Sequence, residues 1–169
     1  MVADVFLFPG QGAQKVGMGS EICEEYDAAR TVFDRASEAI DTDLARICFE
    51  GPKEELSRTD VCQPAILTLS LATLAALEEE SGRELAAEAA AGLSLGEYSA
   101  LVAAGAIEFE EAVRLVEARG RFMQQACDGN PGTSTTQPFQ TIQQAADTAT
   151  AGDVVNIMPG TYHEEIRPA

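Results

Sequence analysis

A serine flanked by glycines is the residue best suited to covalent chemistry. Ser94 stands in Gly92-Leu93-Ser94-Leu95-Gly96, the G-x-S-x-G pattern of a sharp turn between a strand and a helix. Glycines suit such a turn because side chains there would strike the neighbouring backbone. The helix that follows would point its first N–H groups at the site, which stabilises a developing oxyanion. Taken alone, the pattern is weak evidence and favours an ordinary glycine-flanked turn.

A second glycine-rich turn follows the first apolar segment of the chain. Residues 8–14 read FPGQGAQ, and their proline and two glycines favour a tight turn whose backbone approaches a ligand closely. No Gly-Lys-Ser or Gly-Lys-Thr follows, so this is not a phosphate-binding loop. In isolation it favours an ordinary strand-to-helix turn.

The elements that must position these turns are typical of an α/β domain. Residues 5–8 (VFLF) predict a short buried strand that ends at a proline and a glycine. Apolar residues spaced by three and four predict one helix from Ser20, its N-cap, to about Ile40. A second helix is expected from about Pro64 to about Glu80, since proline is tolerated in a first helical turn.

A third helix is predicted over residues 109–125, and one segment before it is ambiguous. The inner side of this helix is expected to carry Ala112, Leu115, Val116, Phe122 and Met123. Residues 86–91 (AAEAAA) have helical propensity, although the turn that follows them requires a strand.

Composition and charge exclude several classes of function. The 169 residues include 28 acidic and 11 basic side chains, giving a net charge of −17, and such a surface repels nucleic acid. The four cysteines and one histidine have no metal-site spacing. No apolar run approaches the ~20 residues that span a bilayer. We therefore expect a cytoplasmic protein without a metal ion, a nucleic-acid partner or a membrane partner.

The composition changes near residue 128. Residues 128–136 (DGNPGTSTT) are dense in turn formers, and they divide the chain into predicted domains 1–128 and 129–169. The second domain predicts a short amphipathic helix over residues 138–146 and a strand over residues 154–158.

Five separated motifs occur in one order along the first domain. They are residues 8–14 with 16–19 (VGMG), residues 63–65 (QPA), residues 92–100 (GLSLGEYSA) and residues 114–120 (RLVEARG). Together they closely resemble the N-terminal part of malonyl-CoA:acyl-carrier-protein transacylases over about residues 3–133. The resemblance implies an incomplete acyltransferase domain with an α/β-hydrolase-like parallel sheet core. It also implies that residues 86–91 form the strand leading into the serine turn.

The resemblance implies a mechanism and a set of site residues. Ser94 would accept a malonyl group from malonyl-CoA and pass it to the phosphopantetheine thiol of acyl carrier protein, without a bound cofactor. Gln11 and the backbone N–H of Leu95 would form the oxyanion hole. Arg119 would hold the malonyl carboxylate, and Gln63 would lie near the pocket.

Three features depart from this family pattern or leave an alternative open. Many members have histidine before the nucleophile, where this chain has Leu93. Arg119, taken alone, also fits a surface salt bridge with Glu117 or Glu111. The only imidazole belongs to His163, whose surroundings do not resemble the family's catalytic histidine. Because a serine needs a base, activity is expected to suffer.

The second domain resembles a different family. Residues 128–162 are similar to the opening of a pectin-lyase-like right-handed parallel β-helix, in which a helix caps the first coil. This resemblance predicts a helix-plus-strand tail and a chimeric chain joined near residues 128–133. The alternative function is therefore an inactive structural fragment with a carbohydrate-associated tail, because one coil cannot bury its own core.

Overall fold

The structure, a computed structural model, describes residues 5–128. The chain divides into two compact units, one ending at Arg121 and the other beginning at Phe122. The predicted helix over residues 138–146, the predicted strand over residues 154–158 and His163 lie outside the described residues. The domain boundary at residue 128 stays a prediction.

Helices make up most of the described residues. Their order is β1 (Val5–Phe8), α1 (Ser20–Glu25), α2 (Asp27–Ile40), α3 (Leu44–Glu50), α4 (Lys53–Leu56), α5 (Thr59–Ser81), β2 (Ala89–Gly92), α6 (Gly96–Ala103) and α7 (Phe109–Asp128).

The two strands pair in parallel, with Val5 opposite Ala89 and Phe8 opposite Gly92. The predicted strand over residues 5–8 is confirmed. The strand expected over residues 86–91 forms three residues later at its start, over Ala89–Gly92. Its alanines are extended because the β1 ladder supplies hydrogen bonds that outweigh their helical propensity.

The helix expected from Ser20 to Ile40 is two helices, so that prediction is wrong. The chain is extended at Tyr26, with φ −121° and ψ 120°. The Glu79 side chain of α5 accepts a hydrogen bond from the Ala28 N–H at 2.8 Å, which satisfies an N–H of the first turn of α2. Ser20 is the first residue of α1 rather than its N-cap, a position that Gly19 takes with φ 87°.

Helix α5 is the central helix of the core. It begins at Thr59 rather than near Pro64, which lies in its second turn. Its length and mean hydropathy of 1.5 would suffice to cross a membrane, which the sequence analysis did not anticipate. Half of that apolar stretch is buried within the fold, and its fully buried side chains include Ala65, Leu67 and Ala72. Burial of this kind is typical of a core helix.

Helix α7 confirms the predicted helix over residues 109–125 and extends it to Asp128. Of the five residues predicted on its inner side, Ala112 and Val116 are buried, which confirms the prediction for these two. The other three predicted residues are exposed: Leu115 (46%), Phe122 (65%) and Met123 (41%). Burial follows a stripe with helical spacing, formed by Phe109, Ala112, Val113, Val116 and Gly120.

Candidate active site

Ser94 lies on a strained turn between β2 and α6. Its φ of 54° is in the left-handed region, which a side chain adopts only where the surrounding structure enforces it. A Cβ at Gly92 would lie 2.1 Å from the carbonyl carbon of Gly96, so the close turn requires glycine. The strand–turn–helix context that G-x-S-x-G requires is therefore present.

The two glycine-rich turns are in contact. A Cβ at Gly10 would lie 2.8 Å from the Leu93 carbonyl oxygen, and one at Gly96 would lie 2.4 Å from that of Phe8. Neither backbone can move aside without disturbing the paired strands. Glycine at both positions therefore brings residues 8–14 against the Ser94 turn, with the exposed Gln11 in that loop.

Four predicted site residues form one chain of hydrogen bonds. Arg119 donates from Nη2 to the Ser94 Oγ at 2.9 Å and from Nη1 to the Gln63 Oε1 at 2.6 Å. Gln63 donates from Nε2 to the Gln11 Oε1 at 3.4 Å. The side chains come from the loop after β1 (residues 9–14), from α5, from the strand-to-helix turn of residues 92–96 (the elbow) and from α7. The fold thus brings together residues up to 108 positions apart in sequence.

Arg119 forms no ion pair with any carboxylate of residues 5–128. Glu117, one of the two partners considered from the sequence, pairs instead with Arg121 at 3.2 Å. The salt-bridge alternative for Arg119 is therefore wrong. Its guanidinium is partly buried beside neutral hydrogen-bond partners, an arrangement that leaves its charge available for an anion.

Two residues that were not predicted as site residues, Tyr98 and Gly120, help to position Arg119. The Tyr98 ring lies 5.8 Å from the Arg119 Cζ, within the range of a cation–π contact. A Cβ at Gly120 would lie 2.3 Å from the Thr59 carbonyl oxygen, so glycine lets α7 approach the first turn of α5. The sequence could have indicated both residues by their positions, since Tyr98 follows Ser94 by one helical turn and Gly120 follows Arg119 directly.

Gln63 and the neighbouring Cys62 are both fully buried. The Gln63 side chain is fully buried, so its hydrogen bonds to Arg119 and Gln11 satisfy polar atoms that have lost contact with water. Burial raises the pKa of the adjacent Cys62 thiol to about 11. A fully buried thiol of this kind is inert, whereas Ser94 is exposed on its turn, so Ser94 is the accessible group of the two.

Leu95 is the N-cap of α6. The N–H groups of Gly96 and Glu97 donate to the carbonyl oxygens of Leu93 and Ser94. The Leu95 N–H, in contrast, has no acceptor in the part of the chain that the structure describes. An N–H at the start of a helix that lacks an internal partner is suited to bind an incoming oxygen.

Between residues 5 and 128 there is no histidine, because the only one is His163. The same residues hold no group of three or more His, Cys, Asp or Glu side chains placed for a metal ion. The site described so far therefore combines a serine hydroxyl and a guanidinium without an imidazole.

A family described as "Acyl transferase domain" matches residues 5–157. The chain is 43% identical over 156 residues to a malonyl CoA-acyl carrier protein transacylase of Bacillus subtilis (strain 168), covering 90% of this chain and 48% of that protein. It is 42% identical over 159 residues to the Escherichia coli (strain K12) protein of the same name, covering 92% and 51%. The chain thus spans about half the length of the curated relatives it matches.

Solved structures of similar proteins also match this chain. An acyl-carrier-protein S-malonyltransferase from Bartonella henselae matches with a TM-score of 0.70 and 41% identity, over 74% of this chain and 40% of that one. A malonyl-transacylase in complex with its type II PKS acyl-carrier protein matches with a TM-score of 0.67 and 43% identity, over 72% and 39%. These neighbours establish a mixed α/β acyltransferase-type fold.

The comparisons do not support the β-helix interpretation of the second domain. The family match continues through residue 157, past the predicted junction at residues 128–133. The Bacillus and Escherichia relatives likewise align over at least 90% of the chain.

Proposed function

This chain belongs to the family of acyl transferase domains, and we propose that it transfers a malonyl group from malonyl-CoA to the phosphopantetheine thiol of acyl carrier protein. The names of the relatives support the substrate and the acceptor. The observation that carries the proposal is the contact between the Arg119 guanidinium, which lacks a carboxylate partner in residues 5–128, and the Ser94 Oγ at 2.9 Å. One site thus combines a nucleophile with a group that recognises a carboxylate.

The reaction proceeds in two acyl-transfer steps through Ser94. Its Oγ attacks the thioester carbonyl of malonyl-CoA while a base accepts the hydroxyl proton, and the C–S bond breaks to release CoA as a thiol after protonation. The phosphopantetheine thiol then attacks the malonyl-serine ester, and the Ser94 Oγ leaves with a proton. Ser94 is exposed on its turn, so both thioesters can reach it from solvent.

Arg119 selects the acyl group. A malonyl group carries a carboxylate two carbons from its thioester carbonyl, and this carboxylate takes the place that the neutral Ser94 hydroxyl occupies beside the guanidinium. A charged acceptor binds guanidinium more strongly than a hydroxyl does. An acetyl group lacks that carboxylate, so Arg119 does not strengthen its binding. The Ser94 Oγ then stays hydrogen-bonded to Arg119.

The oxyanion of each tetrahedral intermediate is stabilised by the Leu95 N–H and by Gln11. The Leu95 N–H has no acceptor among the described residues and lies at the start of α6. Gln11 is connected to the site through Gln63, whose burial fixes that side of the loop. Donors held in place before the reaction stabilise developing charge without reorganisation.

Attack by Ser94 requires a base that removes its hydroxyl proton. Residues 5–128 contain no histidine for this step. A serine at its ordinary pKa reacts slowly without a base, and loss of a triad member costs several orders of magnitude in rate. We therefore expect slow ester formation from this chain alone. The prediction that His163 is not the base remains a prediction.

Labelling with radioactive malonyl-CoA tests the transfer. Bound label is measured after acid quenching. We expect label on the wild-type chain and none on Ser94→Ala. When holo acyl carrier protein is added before the quench, the label on the wild-type chain should be lost. Ser81→Ala is the matched control, because Ser81 is exposed at the end of α5 and away from the elbow. Absence of label from the wild type, or equal label on Ser94→Ala, would contradict the proposal and favour the inactive structural fragment.

A further inference from the structure

Gln63 is the buried amide at the centre of the hydrogen-bond chain in the candidate site. Among the described residues, three polar side chains are fully buried: Gln63, Thr68 and Ser99. The hydroxyls of Thr68 and Ser99 have no hydrogen-bond partner in that part of the chain, whereas the Gln63 amide contacts Arg119 at one end and Gln11 at the other. Because an unpaired amide is costly to bury, these contacts stabilise a glutamine at this position.

The chain of hydrogen bonds has one direction. A guanidinium donates and cannot accept, so the Gln63 atom that lies 2.6 Å from the Arg119 Nη1 is the amide oxygen. The Gln63 Nε2 is then the end that faces Gln11, and it donates to the Gln11 Oε1 at 3.4 Å. If the Gln63 amide were reversed, two donors would face each other at Arg119. Arg119 therefore sets the orientation of both amides.

Gln63 is also the fixed point of this chain of hydrogen bonds. It lies on α5 between Cys62 and Pro64, which are buried as Gln63 is, so its backbone is packed into the core. Gln11 is exposed in a loop, and Arg119 is partly exposed on α7. In the described part of the chain, no hydrogen bond joins Gln11 directly to Arg119. The two residues are connected through Gln63.

We propose that Gln63 is a positioning residue, which couples the guanidinium that binds the malonyl carboxylate to the loop that carries Gln11. It holds the Arg119 Nη1 while Nη2 donates to the Ser94 Oγ, and it holds the Gln11 side chain from the core. Gln63 thus acts through Arg119 and Gln11 instead of contacting the reacting atoms. The coupling stands on contacts within this chain, and its effect on malonyl binding rests on the proposed function.

Heteronuclear NMR of the arginine and glutamine side chains tests the coupling without substrate. A guanidinium held through both terminal nitrogens rotates slowly about its Cζ–Nε bond, so these nitrogens give separate signals. We expect separate signals for Arg119 in the wild-type chain and merged signals in Gln63→Met, which keeps the side-chain length without the amide. Arg119→Lys assigns the signals, and circular dichroism checks the fold. Merged signals in the wild type, or separate signals in Gln63→Met, would overturn the proposal.

Gln11→Ala is a second variant for the same measurement, and it leaves the core intact because Gln11 is exposed. It should shift the side-chain amide signals of Gln63 and, through that residue, the Arg119 signals. The control is Lys15→Ala, at an exposed residue that follows the same loop, and it should shift neither. A change at Gln63 that does not reach Arg119 would contradict the coupling.

Titration calorimetry in the Ser94→Ala background tests the effect on binding, with Gln63→Glu as the variant. Its carboxylate would pair with Arg119 and compete with the malonyl carboxylate for the same charge. We expect the affinity for malonyl-CoA to fall at least ~30-fold, while the affinity for acetyl-CoA changes little. An equal loss for acetyl-CoA, or no loss for malonyl-CoA in a chain that prefers it, would overturn the proposal.

Gln14→Glu is the matched control for the added charge. The Gln14 Oε1 accepts from the Gly12 N–H at 2.9 Å, which a carboxylate oxygen does as well, so both affinities should stay within about twofold. An equal loss in Gln14→Glu and Gln63→Glu would mean that charge alone weakens binding, and it would overturn the proposal.

The two proposals fail separately. If the Ser94→Ala chain binds malonyl-CoA and acetyl-CoA equally, the proposed function is contradicted. The NMR signals are measured without substrate, so they decide on the positioning role of Gln63 in that case as well.

Discussion

At Arg119 one guanidinium holds two side chains through separate nitrogens. Nη1 donates to Gln63 at 2.6 Å and Nη2 to Ser94 at 2.9 Å, while the Tyr98 ring packs 5.8 Å from Cζ. The planar fork reaches both oxygens at once, which a single ammonium cannot reproduce with the same geometry. Arg119 is therefore held in place by neutral partners, as the proposed binding of a carboxylate requires.

Replacing Arg119 with alanine is expected to abolish the preference for malonyl-CoA over acetyl-CoA. Loss of a charge-assisted pair of hydrogen bonds costs about 2–3 kcal/mol, or about 30- to 150-fold in affinity. Titration calorimetry on Ser94→Ala protein, which cannot form the ester, measures the two affinities directly. Acetyl-CoA binding should be nearly unchanged.

Arg114→Ala is the matched control for this experiment. Arg114 is an exposed arginine on the same helix, and its removal changes the net charge by the same amount. A similar loss of malonyl-CoA affinity in both variants would mean that overall charge, rather than a specific contact, determines binding.

At the scale of elements, the sequence predicted those features that depend on local pattern. The β1 strand, the glycine turns and helix α7 follow from periodicity and from glycine placement. The break at Tyr26 could not be predicted, because it depends on a hydrogen bond from Ala28 to Glu79, 51 residues away. The late start of β2 likewise depends on its ladder with β1.

For the candidate site too, the sequence predicted residues in motifs but not the contacts between distant elements. Ser94 and Arg119 came from motifs, and the fold brings them together. The packing of Tyr98 on Arg119 could not be predicted, since the two residues lie in different helices, 21 positions apart. The exposure of Leu115 was missed because its neighbour Val116 takes the buried position, and one residue turns a helix by about 100°.

Helices α2 and α7 are joined by an ion pair that predicts a pH dependence. Arg35 donates to Glu110 at 2.7 Å, and this hydrogen bond, as the main cause, lowers the pKa of the Glu110 carboxyl below its usual 4.5. A lowered pKa in the folded state stabilises the fold above the unfolded pKa, and the contribution disappears as the pH falls through the lowered value.

Glu110→Gln should therefore lower the free energy of unfolding by about 0.5 kcal/mol near pH 7, as for a partly exposed pair. The difference from wild type should shrink as the pH falls below 4.5. Denaturant titrations at several pH values measure it, with Glu111→Gln as the control on the adjacent residue. A difference that stays constant with pH would rule out this ion pair as its cause.

For the whole molecule, net charge is the dominant electrostatic feature. The 28 acidic side chains face only 11 basic ones, and the described ion pairs lie at the surface, where each contributes little. Mutual repulsion of the unpaired carboxylates therefore opposes the compact state. It also opposes the approach of any acidic partner protein.

Sodium chloride should consequently stabilise this protein instead of weakening it. Raising the ionic strength from about 0.01 M to about 0.15 M shortens the Debye length from about 30 Å to about 8 Å, which screens repulsion across the molecule while contacts at 3 Å change little. We expect Tm at pH 7.5, measured by scanning calorimetry, to rise by a few degrees. The increase should shrink as the pH approaches the isoelectric value of about 4.2, because the net charge falls there. A Tm that decreases with salt at pH 7.5 would mean that the ion pairs outweigh the repulsion, and that net charge does not limit the stability of this fold.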